Sequence, residues 1–354
     1  MTRRLLPLPG PFPLERGGIL SGVEVAFETY GELGEGRDNA VWVCHALTGD
    51  AHPASHQEGD PPGWWEGMIG PGLPLDTRKW FIVCSNVLGG CSGTTGPSFP
   101  HPEDGLPWEL RFPPITVGDM VRVQRELARA LGIRRFALVV GGSLGAMQAL
   151  EWAAQAPQRV QRVLALAGPW ASSPQAIAWN EVGRQAILLD LERKGTGVGG
   201  MALARMLAMI TYRSNQEFQA RFGRRERLAP AESPHPFALQ YQVESYLHHH
   251  GEKLVRRFDP YSYLYLTRAM DFFDLGAHPE ETWEKVRAAG VRVMAAGIDS
   301  DILYPAVEIK ELVRHLQKRG IRAVYEEIRS LHGHDAFLIE KEATGALVEK
   351  ALHM

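Results

Sequence analysis

The sequence predicts an α/β protein: a mostly parallel sheet with helices on both faces, interrupted by a helical insertion. Three observations lead there. Short apolar runs recur at 40–44, 80–84, 136–140, 163–167 and 291–296, with the continuous hydrophobicity of strands buried on both faces. Segments with apolar residues at helical spacing lie between several of them, an alternation that argues parallel strands joined by crossover helices. From about residue 170 to 285 the alternation stops; helical periodicity continues, as in Met201-Ala-Leu-Ala-Arg-Met-Leu-Ala-Met-Ile210, without a strand pattern. Two units are expected, an α/β body of residues 1–169 and 286–354 and a helical lid of residues 170–285 over the carboxyl ends of the strands.

Taken in order, the Pro- and Gly-rich residues 1–18 read as an irregular lead-in, and 23–30 alternates apolar with polar residues like a half-buried antiparallel edge strand. The strand at 40–44 runs into His45-Ala-Leu-Thr-Gly-Asp50, and the one at 80–84 into a small-residue loop, 85–96, expected to expose many backbone amides. Residues 116–131 read as a helix, opened by a Thr116/Asp119 capping box, with Val117, Met120, Val121, Leu127 and Leu131 on its apolar face. After the insertion come the strand at 291–296, a helix over about 305–319, a strand at 323–328 and a last helix from about 335.

The totals exclude several classes. A chain of 354 residues, 45% hydrophobic and 22% charged, has ordinary globular values and can bury a large core. A formal net charge of −3 gives no whole-chain attraction to nucleic acid or to an anionic membrane. Cys44, Cys84 and Cys91 cannot all pair, and they lie in or after apolar runs, which suits a reducing cytoplasmic compartment. The first residues resemble a secretory leader only until their prolines, and no run of about 18 apolar residues predicts a membrane span.

The chemistry centres on Gly141-Gly142-Ser143-Leu144-Gly145, a complete Gly-x-Ser-x-Gly between the strand at 136–140 and a helical pattern at 144–156. A turn this tight holds the serine in a strained conformation at a helix N-terminus, with its hydroxyl raised above the sheet. With this strand before it and this helix after it, the pattern predicts a nucleophile elbow of the kind found in α/β-hydrolases rather than an ordinary Gly-rich turn with an incidental serine. A serine hydroxyl is a poor nucleophile, so it needs a base, and the base an orienting carboxylate. In this fold they follow in the order Ser, Asp/Glu, His, in loops after strands. The loop after 291–296 offers Asp299 and Asp301, the loop after 323–328 offers His332 and His334, and spacing does not choose between them. An oxyanion hole needs two donors: the N–H of Leu144, after the nucleophile, and one from His45-Ala-Leu-Thr-Gly49, where Leu47 is favoured over Ala46 and Thr48.

Other polar clusters carry less. His332-Gly-His334-Asp335 and His248-His-His250 lack a matched third cluster, and a serine nucleophile needs no metal, so no catalytic metal is expected. The basic run from Arg221 to Arg227 reads as a solvated face, with the phosphates of a large anionic cofactor as the alternative.

These residues resemble the homoserine O-acetyltransferase family, α/β-hydrolase-fold acyltransferases of methionine biosynthesis. The resemblance spans nearly the whole chain: Cys44-His-Ala-Leu-Thr-Gly-Asp-Ala-His52, Gly63-Trp-Trp-Glu66 with Ile69-Gly-Pro-Gly72, Cys84-Ser-Asn-Val-Leu-Gly-Gly-Cys91 through Gly93-Thr-Thr-Gly-Pro97, the elbow block to Trp152, Thr211-Tyr-Arg-Ser214, Asp299-Ser-Asp-Ile-Leu-Tyr-Pro305 and Gly333-His-Asp-Ala-Phe-Leu338. Leu144-Gly-Ala146 departs from the more common Met-Gly-Gly at positions that act through backbone. The resemblance implies Asp301 and His334 as triad members with Ser143. It implies Arg213 as the grip on the homoserine carboxylate and Asp335 as the grip on its amino group. It also implies no permanently bound cofactor, acetyl-CoA as co-substrate, and a ping-pong mechanism through acetyl-Ser143. Rivals are succinyl-CoA as donor or serine as acceptor, a serine esterase or thioesterase, and a non-catalytic protein on this fold. The Met- and Leu-rich lid helices are expected to form a homodimer interface or to line the substrate tunnel.

Overall fold

The computed structural model describes residues 3–227, 235 and 237–354. Its strands are β1 (Arg4–Pro7), β2 (Phe12–Pro13), β3 (Ile19–Leu20), β4 (Glu24–Tyr30), β5 (Ala40–Cys44), β6 (Phe81–Ser85), β7 (Phe136–Gly142), β8 (Arg162–Leu166), β9 (Arg292–Ile298) and β10 (Arg322–Ile328). Eight of them form one sheet in the order β1-β4-β6-β5-β7-β8-β9-β10, and β2 and β3 form a separate hairpin. Strands β6 to β10 in that order run parallel, while β4 is antiparallel to both its neighbours.

The chain moves from β5 outward to β6, then crosses back to β7 on the other side of β5. The order therefore reverses between β5 and β7, and a parallel sheet opens a crevice at the carboxyl ends of the strands at such a point. Alternate side chains of the strands enter two cores. Trp42, Val139, Val163 and Val293 face one, with α1 (Val117–Ala130) and α2 (Leu144–Gln155). Val41, Val43, Leu138, Leu164 and Met294 face the other, where Leu347, Val348 and Ala351 complete the packing.

Two expectations for the amino-terminal part change. The lead-in is not irregular: β1 pairs with β4, with Leu5 opposite Ala26, so β4 lies one strand in from the edge and is largely buried. Prolines obscure β1 in the sequence, yet Pro7 closes a four-residue edge strand where a missing N–H is tolerated. The 85–96 loop is likewise mostly buried, and its amides are used: Asn86 N–H donates to Ala26 O (2.8 Å) and Gly89 N–H to Thr95 O (2.9 Å).

Between β8 and β9 lie α3 (Pro174–Lys194), α4 (Val198–Tyr212), α5 (Asn215–Arg221), α6 (Gln242–Val255), α7 (Pro260–Asp271) and α8 (Glu280–Ala288). Helix α4 packs between α3 and α6, and α3 also packs on α7, where Arg184 and Asp271 form a buried ion pair at 2.6 Å. Helix α8 lies instead on α2, with Trp283 and Val286 buried. The chain ends with α9 (Ala306–Lys318), α10 (Ala336–Ile339) and α11 (Lys341–His353), so the last helical stretch is broken at Glu340.

The capping box is present at α1: Asp119 N–H donates to Thr116 Oγ1 (3.0 Å) and Thr116 N–H to Asp119 Oδ2 (3.1 Å). Under the β5–β7 pair, Phe136 meets Trp42 and Trp152 edge-on, with ring centres 5.6 and 5.1 Å away. All three side chains are fully buried. Truncating one leaves a cavity walled by rigid rings, so Phe136→Ala is expected to lower the unfolding free energy by about 3–5 kcal/mol. Urea denaturation would read this as a lower midpoint at unchanged slope.

Candidate active site

The elbow forms because two backbones pass without side chains between them. A Cβ on Gly145 would collide with the Cys44 carbonyl oxygen, and one on Gly141 with the Gly145 backbone and the same carbonyl. The end of β7 and the start of α2 thus lie directly against β5. Ser143, between them, is held at φ 59°, ψ −122°, a conformation that costs a non-glycine residue about 1–3 kcal/mol. Its N–H donates to Leu166 O (2.9 Å), which ties the turn to β8. Leu144 opens α2, so its N–H has no acceptor a turn earlier and points out of the helix end.

The loop after β5 is positioned from below and from the side. Gln148 on α2 donates to His45 O (3.1 Å), Gln124 on α1 donates to Gln148 Oε1 (2.7 Å), and Trp152 Nε1 donates to Gln124 (2.7 Å). His45 itself is buried. Its Nδ1–H donates to Ala46 O (2.7 Å), and its Nε2 accepts from Val87 N–H (3.1 Å) and Asn86 Nδ2 (3.2 Å). Burial drives the pKa of His45 down, which matches an imidazole used as one donor and one acceptor. Leu47, two residues on, reaches the cavity wall beside Ser143.

The two ambiguous loops separate by geometry. His334 Nδ1 lies 2.7 Å from Asp301 Oδ2, and both side chains are buried. The other oxygen of Asp301 accepts from the N–H groups of Leu303 (2.8 Å) and Tyr304 (3.0 Å). Asp299 instead accepts from Ser330 N–H (3.0 Å), joining the two loops, and His332 faces Glu217 at 3.4 Å. The Nε2 of His334 is buried and has no hydrogen-bond partner among the described residues. Tyr304, Tyr212 and Phe337 surround the ring, with centres 5.3, 5.6 and 5.8 Å away. Burial works to lower the pKa of His334, but the charge and hydrogen bond of Asp301, helped by Asp335, outweigh it and leave the pKa above 6.5.

Ser143, His334 and Asp335 open on one cavity of about 440 Å³, lined also by Leu47, Trp64 and Tyr212. Arg213 does not line it. Its guanidinium sits 3.1 Å from Asp335 Oδ2 and 3.2 Å from Glu217 Oε1, so the two expected substrate grips form an ion pair with each other. The Thr211–Ser214 block meets the histidine loop closely. Ser214 Oγ donates to Leu331 O, and a Cβ on Gly333 would press on Tyr212 O.

Sequence reasoning missed the aromatic cage of His334 and three cations on the cavity wall, Arg205, Lys253 and Arg257. They come from α4, α6 and the residues after α6, and only the packing of those helices brings them together. The basic run is elsewhere: Arg221 pairs with Glu217 (3.8 Å) and stacks over Tyr246, while Arg225 donates to Phe222 O (3.1 Å). Among the described residues, Glu28, His52 and His56 have metal-ligand spacing. One carboxylate oxygen of Glu28 accepts from His52 (2.8 Å), His56 (2.9 Å) and Tyr30 (3.0 Å), and the group tethers the loop that carries Pro62 and Trp64 to the cavity.

The strand order, elbow and Asp–His pair define the class, and a family model described as the alpha/beta hydrolase fold matches residues 39–340. The homoserine O-acetyltransferase of Symbiobacterium thermophilum is 50% identical over 342 residues, covering 93% of this chain and 88% of that one. That of Carboxydothermus hydrogenoformans is 48% identical over 336 residues, covering 92% and 89%. Among solved structures, homoserine O-acetyltransferase from Bacillus anthracis superposes with a TM-score of 0.91 at 26% identity, covering 99% and 97% of the two chains. Esterase E22 superposes at 0.89 with 24% identity and 99% coverage of both, a likeness of fold alone. The chain belongs to the homoserine O-acetyltransferase family.

Without the carboxylate of Asp301, burial is left as the main influence on His334. Asp301→Asn is therefore expected to lower the His334 titration, with the Asp335 charge left as the opposing influence. NMR of the imidazole, assigned by its loss in His334→Gln, would follow the shift; an unmoved titration would contradict the pairing.

Proposed function

We propose that this chain transfers the acetyl group of acetyl-CoA to the side-chain hydroxyl of L-homoserine, giving O-acetyl-L-homoserine and CoA. The observation that carries this reading is an Asp301–His334 pair sharing one cavity with the strained Ser143, with the Arg213–Asp335 ion pair beside it. His334 Nε2 takes the proton of Ser143 as Oγ attacks the thioester carbon. The N–H groups of Leu47 and Leu144 receive the charge that forms on oxygen, and collapse expels the thiolate, which regains a proton from His334. Homoserine then gives its hydroxyl proton to His334 and attacks acetyl-Ser143, and a second collapse frees the serine.

The acceptor is an α-amino acid, a carboxylate beside an ammonium. Arg213 and Asp335 present the complementary pair of charges, so the zwitterion replaces one internal ion pair with two intermolecular ones. Seating the hydroxyl in this way favours it over water as the acceptor. This grip separates the reading from an esterase, whose substrates need no such pair. A site of this kind needs no permanently bound cofactor.

Residues 170–285 act as the lid and residues 1–169 with 286–354 as the catalytic body. The lid helices also carry a homodimer contact, for which exposed Val182, Leu189 and Leu203 supply apolar surface. A cytoplasmic location agrees with three free thiols and with the lack, among the described residues, of any helix long and apolar enough to cross a membrane.

The testing measurement is thiol release from acetyl-CoA or succinyl-CoA with L-homoserine, L-serine or water as acceptor. Release is expected with acetyl-CoA plus L-homoserine, and Ser143→Ala should lower kcat by at least about 10³-fold. Arg213→Ala should raise the homoserine KM about tenfold or more, the worth of one charged hydrogen bond, while the acetylation burst with p-nitrophenyl acetate persists. Equal release without an amino acid would make the protein a thioesterase and end the assignment of Arg213 and Asp335. Leu203→Glu should convert a dimer to a monomer in light scattering.

A further inference from the structure

The cavity that holds Ser143 changes character from its floor to its rim. Ser143 and His334 are buried, whereas Lys253 and Arg257 on the same wall are exposed and Arg205 is half-buried. Positive charge therefore gathers where the cavity meets solvent. Two carboxylates share the wall and both are engaged, Asp335 with Arg213 at 3.1 Å and Asp50 with Arg3 at 3.8 Å. Among the described residues, none of the three cations has a carboxylate within ion-pairing distance. Arg205 lies 5.4 Å from the ring centre of Tyr212, and Arg257 donates to Thr48 O (2.6 Å).

Like charges held close are unfavourable for the free protein; burial and then Arg205 lower the pKa of Arg257, and the field of Asp50 offsets part of this. Their effect registers on neighbours. The pKa of His250, one turn before Lys253 on α6, is driven down to about 4, first by burial and then by Arg205, with His249, Arg213 and Lys253 adding to it. A rim of this kind concentrates an anion and speeds its arrival.

We propose that Arg205, Lys253 and Arg257 form the binding site for the phosphate groups of the acyl donor, holding the pyrophosphate and 3′-phosphate of coenzyme A at the rim while the thioester arm reaches Ser143. The site rests on acetyl-CoA being the donor, and adds to that reading the residues that recognise its charged end. Two of the three cations come from α4 and α6, so donor binding fastens the helical insertion over the loaded cavity. Arg257 joins the phosphates to the loop after β5 through the Thr48 carbonyl, one residue from the Leu47 N–H that receives the oxyanion. The acceptor needs none of this: homoserine carries no phosphate and enters after CoA has left.

The test compares three donors in the full-length protein: acetyl-CoA, acetyl-dephospho-CoA, which lacks only the 3′-phosphate, and S-acetyl-N-acetylcysteamine, which lacks all the phosphates. The variants are Arg205→Gln, Lys253→Gln and Lys253→Glu; Arg257 is left intact because it also supports Thr48. Each neutral variant is expected to reduce the kcat/KM preference for acetyl-CoA over the cysteamine thioester about tenfold, with charge reversal at Lys253 reducing it further. The loss should fall on KM and weaken at high ionic strength. A variant whose preference recovers with acetyl-dephospho-CoA marks the cation that meets the 3′-phosphate, and one whose loss persists marks the pyrophosphate. Equal losses on acetyl-CoA and the cysteamine thioester, or an unchanged preference, would overturn the phosphate site while leaving the donor reading standing. If wild type acylates Ser143 from the cysteamine thioester but neither binds CoA in calorimetry nor uses acetyl-CoA, the donor reading fails and the site with it.

Discussion

The turn at Ser143 is the constraint on which the rest depends. Ser143, at positive φ between Gly142 at the end of β7 and Gly145 in the first turn of α2, lies directly against β5 because a Cβ at Gly145, which would meet the Cys44 carbonyl oxygen, is absent. That contact couples three things in one place. It sets the height of the nucleophile above the sheet, it aims the first free N–H of α2, and it puts the loop after β5 alongside both. The strain is small against the burial of β5 and β7, whose side chains are inaccessible on both faces.

Buried polar groups then hold the loops that the turn cannot reach. His45 joins the loops after β5 and β6, and the Gln148–Gln124–Trp152 chain joins the first of these to α1 and α2. Asp301 has both oxygens engaged, one by His334 and the other by two backbone N–H groups. An unmade bond at any of these places would leave a desolvated donor or acceptor, which costs more than the made bond contributes. The loops are held for that reason, and His334 Nε2, buried and without a hydrogen-bond partner among the described residues, faces the cavity able to accept a proton.

The fold does not choose between transfer and hydrolysis. Esterase E22 shares the architecture over the whole chain, and an elbow with an Asp–His pair would serve either outcome. The proposed specificity rests instead on the charge of this cavity: an internal arginine–aspartate pair lies beside the histidine, and three cations without an ion-pair partner among the described residues gather at the rim. The ion pair is placed where the helical segment between β8 and β9 meets the histidine loop, at Ser214 with Leu331 and at Tyr212 with Gly333; the cations are placed by α4 packing on α6 and by Arg257 reaching Thr48.

The sequence alone determined the parallel body, the elbow, the capping box at α1 and the family, because each rests on local periodicity or on a run of residues close in the chain. It limited the carboxylate and base to two candidates each, and the resemblance pointed to Asp301 and His334. Physical spacing could not make that choice. Asp299 and Asp301 lie on one short loop, and which of them faces His334 depends on how that loop meets the one after β10. The edge strand β1 was hidden for another reason: its prolines look like a coil until β4 offers them an edge to pair with. The cationic rim and the aromatic cage were invisible in the sequence, since Arg205, Lys253, Arg257, Tyr212 and Tyr304 are scattered over a hundred residues. Only tertiary packing decides such placement, because a side chain's neighbours across helices are set by how those helices cross, which no local pattern records.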